Sequence, residues 1–205
     1  MSAPDLSALV SARLCHDLIS PMGAIGNGLE LMQLSQTAGS AELDLVAGSL
    51  GSALAKLRFY RLAFGPADAQ GRLSLDEIRS VTEAMFSGRF AVAWGPGPAD
   101  LPRGAVKLAF LALLCLEKSL PMGGTARVVV EGETMALAVE ARRTAPPAEL
   151  WDLVVRGAAP EALRPDGIQF ALLRQELDAA GRAAEIAFAE TGATLRMTAP
   201  EPLPA

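Results

Sequence analysis

The chain has 205 residues, 51% hydrophobic and 20% charged, enough apolar material to close one large core or two small ones. A net charge of -5, with no basic run and no aromatic-basic alternation, excludes a general nucleic-acid or anionic-membrane binder and points to protein partners. The longest apolar run, residues 108–116, falls far short of the roughly 20 residues that span a bilayer, and no charged-then-apolar leader opens the chain, so a cytoplasmic location is expected.

Helix-start signals at residues 2–5 precede an apolar period that runs from Leu6 to Met32, the mark of one long helix. Leu14, Leu18, Pro21/Met22, Ile25, Leu29 and Met32 recur at steps of three and four and define its buried face. His16, the only histidine in the chain, lies about 200° around the helix from both Leu14 and Leu18, and is therefore turned toward water. Ser20, Gly23 and Asn27 follow within about 40° of the same line and leave a lane of small side chains that a partner can approach closely. Arg13 precedes His16 by one turn on nearly the same side. Pro21 has no N–H, and its ring collides with the carbonyl of Asp17, so a bend is expected just after His16. Gly23, Gly26 and Gly28 each weaken a helix by about 1 kcal/mol and Pro21 by about 3, a composition that a purely scaffolding helix has no reason to carry. An ordinary surface histidine is the plain alternative. Cys15 and Cys115 read as free thiols, and neighbouring helical side chains such as Cys15 and His16 diverge too far to share a metal, so no metal site is assigned.

Residues 37–40 read as a turn into a second helix, where Leu43, Val46/Ala47, Leu50, Leu54 and Leu57 keep the three-four step as far as Phe64, and Gly65-Pro66 closes it. A lone helical hairpin cannot cover both of its own apolar stripes. The small residues between Ala47 and Ala55 permit close helix approach, so a homodimeric four-helix bundle is expected, against a small-residue core within one chain. Phe59, Tyr60 and Phe64 read as bundle packing. A short polar stretch at 67–72 separates a hairpin domain, 1–66, from a second domain, 72–205. There the pattern predicts a helix at 75–86, a strand at 90–94, a loop at 95–98 and a helix at 104–119. Strands at 125–130 and 135–140, helices at 149–156 and 168–180, and a terminal hairpin of 184–189 with 194–199 complete the set. The fold class is α+β: a helical hairpin followed by a two-layer α/β sandwich.

The segment His16-Asp17-Leu18-Ile19-Ser20-Pro21 resembles the His-Asp/Glu-Leu-x-x-Pro phosphoacceptor box of sensor histidine kinases. Over a longer span, residues 13–32 followed by Leu-Arg-Phe-Tyr-Arg-Leu-Ala-Phe-Gly at 57–65 are similar to the ChpT-type bacterial histidine phosphotransferases, and the likeness covers nearly the whole chain. The second domain resembles the ATP-binding domain of histidine kinases, with residues 111–124 running along Asn-Leu-Leu-x-Asn-Ala-x-Lys-x-Thr-Pro-x-Gly-Gly. Where that pattern has its magnesium-binding asparagine this chain has Cys115, a poor ligand for Mg²⁺, and the other asparagine position is Leu111. Where Asp-x-Gly-x-Gly should follow Val139 the chain reads Glu140-Ala-Arg-Arg-Thr-Ala-Pro-Pro147, with no glycines to admit phosphates. Gly167, opening the helix at 168, is the sole remnant of a phosphate-facing helix start, and reads equally as a turn residue.

The resemblance therefore implies a phosphoacceptor histidine without a kinase: no ATP use, no autophosphorylation and no cofactor of its own. It implies a donor phospho-aspartate on the receiver domain of a hybrid histidine kinase, acceptor aspartates on response regulators, and Mg²⁺ supplied by the receiver's acidic pocket. Neutral His16 attacks the acyl phosphate. Asp17 is the candidate to hydrogen-bond the imidazole, fix its tautomer and accept its proton, against a merely solvated helix carboxylate. Arg13, Ser20, Gly23 and Asn27 are the candidate partner contacts, an exposed surface arginine being the alternative for Arg13. Arg142 and Arg143, at the lost nucleotide loop, read either as a receiver contact or as a solvated strand end. Two competing readings remain: a non-catalytic dimeric interaction module with a relic histidine, and an ATP-using kinase with an altered pocket.

Overall fold

The computed structural model describes residues 5–34, 40–66 and 70–199. Two long helices open the chain, α1 (Leu6–Leu34) and α2 (Ser40–Ala63). Asp5 caps α1, its Oδ1 accepting from the amides of Ser7 at 3.0 Å and Ala8 at 3.2 Å, and the helix continues through Pro21 without interruption. The two helices pack as a hairpin, and Gly28 is buried where they approach. A Cβ there would fall 2.6 Å from Val46 Cγ2, so the bare backbone is what lets them close. Most of the turn expected at 37–40 and the first half of the boundary expected at 67–72 lie outside the described residues.

The rest of the chain runs β1 (Arg72–Ser74), α3 (Leu75–Met85), β2 (Phe90–Trp94), β3 (Asp100–Pro102), α4 (Arg103–Lys118), β4 (Gly124–Glu131) and β5 (Thr134–Ala141). It ends with α5 (Ala148–Arg156), a 3-10 turn (Pro165–Gly167), α6 (Ile168–Ala179), β6 (Ala183–Ala189) and β7 (Gly192–Thr198). Five strands form one sheet in the order β2-β4-β5-β7-β6, with β2 parallel to β4 and the remaining pairs antiparallel. Each predicted strand and helix beyond residue 72 is present within a residue or two of its expected ends. The short pair β1 and β3, where Leu73 lies opposite Leu101, was not expected. Three residues are too few to display a period of two.

Helix α4 sits at the centre of the core. Every residue from Val106 to Leu116 is buried, because α2 and α6 pack against it and the inward side chains of the sheet, among them Val128, Leu137 and Leu195, join the same cluster. This explains why its sequence shows a continuous apolar run instead of a stripe. Phe59 of α2 stacks on Phe110 of α4, with centroids 4.4 Å apart and planes 5° from parallel, and meets Phe86 edge-on at 5.2 Å. The aromatic run at the end of α2 thus packs into the sheet-bearing half, a correction to the bundle packing expected for Phe59. The remainder of the hairpin has the opposite character. Ile19, Met22, Leu29, Leu43, Leu50, Leu54 and Leu57 are exposed to between 45% and 69%, so part of the apolar periodicity faces outward in the single chain. Among the described residues no helix is long and apolar enough to cross a membrane.

Candidate functional site

His16 projects from the middle of α1 with its side chain 86% exposed, as the helical phase requires. Its Nδ1 lies 3.0 Å from Oδ1 of Asp17, whose carboxylate is turned back into the protein and only 13% exposed. The other carboxylate oxygen, Oδ2, accepts two hydrogen bonds, one from Arg13 Nε at 2.6 Å and one from the hydroxyl of Tyr60. Lys56 Nζ donates to the main-chain oxygen of Asp17 at 3.1 Å. Helical spacing assembles this cluster: Arg13 and Asp17 are four apart on α1, Lys56 and Tyr60 four apart on α2, and the hairpin brings the two pairs face to face.

The cluster reaches the second half of the molecule. Arg13 Nη1 donates to the carbonyl oxygen of Asp166, in the 3-10 turn, at 3.3 Å, and the Asp166 carboxylate pairs with Lys118 at the end of α4 at 2.5 Å. Burial alone would raise the Asp17 pKa, but the hydrogen bonds from Tyr60 and His16 and the charge of Arg13 outweigh it and hold the carboxyl below the usual aspartate range. Burial and then the adjacent carboxylate push the Tyr60 phenol upward. The Lys118 hydrogen bond lowers Asp166. Asp17 is therefore an ionised acceptor with three donors around it, and His16 Nδ1 is its outward partner.

Ser20, Gly23 and Asn27 are exposed along α1 beyond His16, and a Cβ added at Gly23 would meet no heavy atom within 4 Å. Ser20 also lines a shallow groove of about 400 Å³ between α1 and α2, together with Pro21, Asp44, Gly48 and Lys56. Arg13 is placed differently from the expectation of a partner contact. Its side chain is 20% exposed and its guanidinium is committed to Asp17 and Asp166. Tyr60, expected as bundle packing, and Lys56 join the site through contacts across the hairpin. The signal they carry is a lysine-tyrosine pair at helical spacing on α2, Tyr60 being the only tyrosine in the chain. Asp166 contributes a main-chain carbonyl, which no side-chain pattern announces.

A second cavity, of about 460 Å³, lies where Lys118, Pro147, Leu150, Arg164, Asp166 and Gly167 meet. Cys115 is wholly buried, and burial pushes its thiol well above the ordinary cysteine value, so it offers no thiolate to a cation. A Cβ at Gly167 would lie 3.1 Å from Leu150 Cδ1, at the tip of a side chain of α5 that also lines this cavity. Arg142 and Arg143, just past β5, are exposed.

The profile of the histidine phosphotransferase C-terminal domain matches residues 75–192. The chain is 36% identical over 170 residues to the protein phosphotransferase ChpT of Brucella abortus (strain 2308), an alignment covering 78% of this chain and 79% of that one. A solved structure described as a bacterial phosphotransferase superposes with a TM-score of 0.81 at 30% identity, over 96% of this chain and 97% of the other. The profile accounts for the sheet-bearing half, and the superposition extends over the hairpin that presents the imidazole. The chain belongs to the histidine phosphotransferase family.

Proposed function

We propose that the protein relays a phosphoryl group between receiver domains of a two-component pathway, taking it onto His16 from the phospho-aspartate of a hybrid histidine kinase and passing it to aspartates of response regulators. The observation that carries this reading is the pairing of an exposed imidazole with a shielded, ionised carboxylate. An ionised Asp17 can only accept, so Nδ1 keeps its proton and Nε2 presents its lone pair to solvent. Nε2 attacks phosphorus in line, the bond between phosphorus and the receiver's carboxylate oxygen breaks, and the receiver carboxylate leaves with the electron pair. The ring becomes cationic while its Nδ1 proton stays between it and Asp17, so no proton has to be lost. Asp17 acts here by orienting the ring and offsetting its charge; a carboxyl held below its usual range is a weak proton acceptor.

The same reading has the protein work without ATP, because a buried Cys115 stands at the expected magnesium position and no glycine-bearing phosphate loop follows β5. Mg²⁺ is brought by the receiver's acidic pocket, and the protein carries no cofactor of its own. The exposed apolar row on α1 and α2 supports a homodimer, two hairpins closing into a four-helix bundle. Ser20, Gly23 and Asn27 form the surface beside His16 on which a receiver is seated, while Arg13 serves from behind by holding Asp17. Partners of this kind place the protein in the cytoplasm.

Wild type and His16→Ala, incubated with radiolabelled phospho-receiver or with radiolabelled ATP alone, test the proposal. Acid-labile label is expected on wild type only, and only from the receiver. Because His16 is exposed, the variant is expected to keep its fold by circular dichroism. Label from ATP alone means a working kinase site, and no label from a panel of phospho-receivers leaves a non-catalytic interaction module.

A further inference from the structure

We infer that Tyr60 is a positioning residue for the His16 reaction: its hydroxyl occupies one oxygen of Asp17 and thereby reserves the other for the imidazole. The inference rests on His16 as the phosphoacceptor. A carboxylate has two equivalent oxygens, and a guanidinium beside it favours the bidentate arrangement that takes both. Here Arg13 is kept from doing so on two sides. Tyr60 and Arg13 Nε converge on Oδ2, while Arg13 Nη1 is drawn away to the Asp166 carbonyl at 3.3 Å. Oδ1 is left facing His16 Nδ1 at 3.0 Å.

The phenol is well placed for this task because packing leaves its ring little freedom. Tyr60 is 3% exposed, stacks on Phe64 with centroids 5.0 Å apart and planes 10° from parallel, and meets Phe59 edge-on at 6.1 Å. Phe59 is itself locked to Phe110 and Phe86. The tautomer of a surface histidine is thus referenced through Asp17 and Tyr60 to the buried core of the molecule. With its pKa raised by burial, the hydroxyl remains a donor at any pH at which transfer is assayed. The step Tyr60 assists is the one given above: the Nε2 lone pair forms the bond to phosphorus, the receiver carboxylate leaves, and the Nδ1 proton stays shared with Asp17.

Tyr60→Phe keeps the ring and removes only the oxygen, so the fold is expected to hold by thermal denaturation. Because His16 is the only histidine, ¹⁵N NMR of the imidazole reads its tautomer directly in the unphosphorylated protein. The variant is expected to shift from the Nδ1–H form toward a mixture. Single-turnover transfer at saturating phospho-receiver should slow about three- to tenfold, the effect of one hydrogen bond, while the half-saturating receiver concentration stays unchanged. In an Asp17→Asn background the same change should cause no further loss. A wild-type tautomer with a wild-type rate overturns the inference, as does an equal fractional loss with and without Asp17. Should wild type accept phosphoryl from no receiver, the phosphorelay reading fails while the NMR comparison still decides whether Tyr60 sets the imidazole.

Discussion

Replacing Asp17 by asparagine tests the chemistry of the site with almost no change in shape. The wild-type carboxylate accepts from three donors, Arg13 and Tyr60 on Oδ2 and His16 on Oδ1. Asparagine has a single acceptor oxygen. With two donors fixed on the inner side, that oxygen turns inward and the amide NH₂ faces the imidazole. The NH₂ then donates to Nδ1, which must carry the lone pair, and the proton moves to Nε2, the nitrogen that has to attack. Regaining the reactive tautomer forfeits that hydrogen bond, about 0.5–1.5 kcal/mol. The charge lost opposite the cationic ring adds a second contribution. At the observed 3.0 Å, and with the effective dielectric of about 40–80 that suits an exposed imidazole, Coulomb's law gives about 1.4–2.8 kcal/mol. Together these come to about 2–4 kcal/mol, a loss of roughly 30- to 1000-fold in transfer rate. Single-turnover transfer from a phospho-receiver measures the rate, and ¹⁵N NMR of the single histidine measures the tautomer. A variant within about threefold of wild type, with Nε2 still unprotonated, would refute the assignment of Asp17 as the group that sets the ring.

Phe59→Ala removes a fully buried ring shared by α2, α3's end and α4, and should lower stability by about 3–5 kcal/mol. In urea unfolding, far-UV circular dichroism and the fluorescence of Trp94 and Trp151 should shift together; separate midpoints would mean that the hairpin unfolds independently of the α4 core. Gly23→Ala fills open space and should stabilise the chain by about 0.5–1 kcal/mol, whereas Gly23→Gln, equally compatible with a helix, should raise the half-saturating receiver concentration without altering the imidazole tautomer. Asp17 and Asp166 both titrate below the ordinary aspartate value. The stability they lend is therefore complete above about pH 4 and is lost as pH falls through their lowered values. Urea midpoints measured from pH 7 down to pH 2 should show wild type losing its advantage over Asp17→Asn in that acid window.

What the amino-acid order determined by itself is whatever repeats or terminates over a few residues. The three-four period of α1 places His16 opposite Leu14 and Leu18, so its exposure follows from helix geometry alone. Glycine and proline punctuation, with alternation in β4 and β5, located nearly every element beyond residue 72. The histidine box and the broken nucleotide motifs are likewise local strings. Periodicity does not say what covers an apolar face, however. Leu29, read as buried, is 46% exposed in the single chain, while Phe59, read as bundle packing, is wholly buried against α4. The long-range partners of Asp17 and Arg13 were also beyond local reading. Tyr60 lies 43 residues from Asp17, and the Asp166 carbonyl 153 residues from Arg13. Only the closing of the hairpin and its docking on the α4 core bring these groups within hydrogen-bond distance. That is why the nucleophile was legible in the sequence, whereas the arrangement that holds its carboxylate was decided by the tertiary structure.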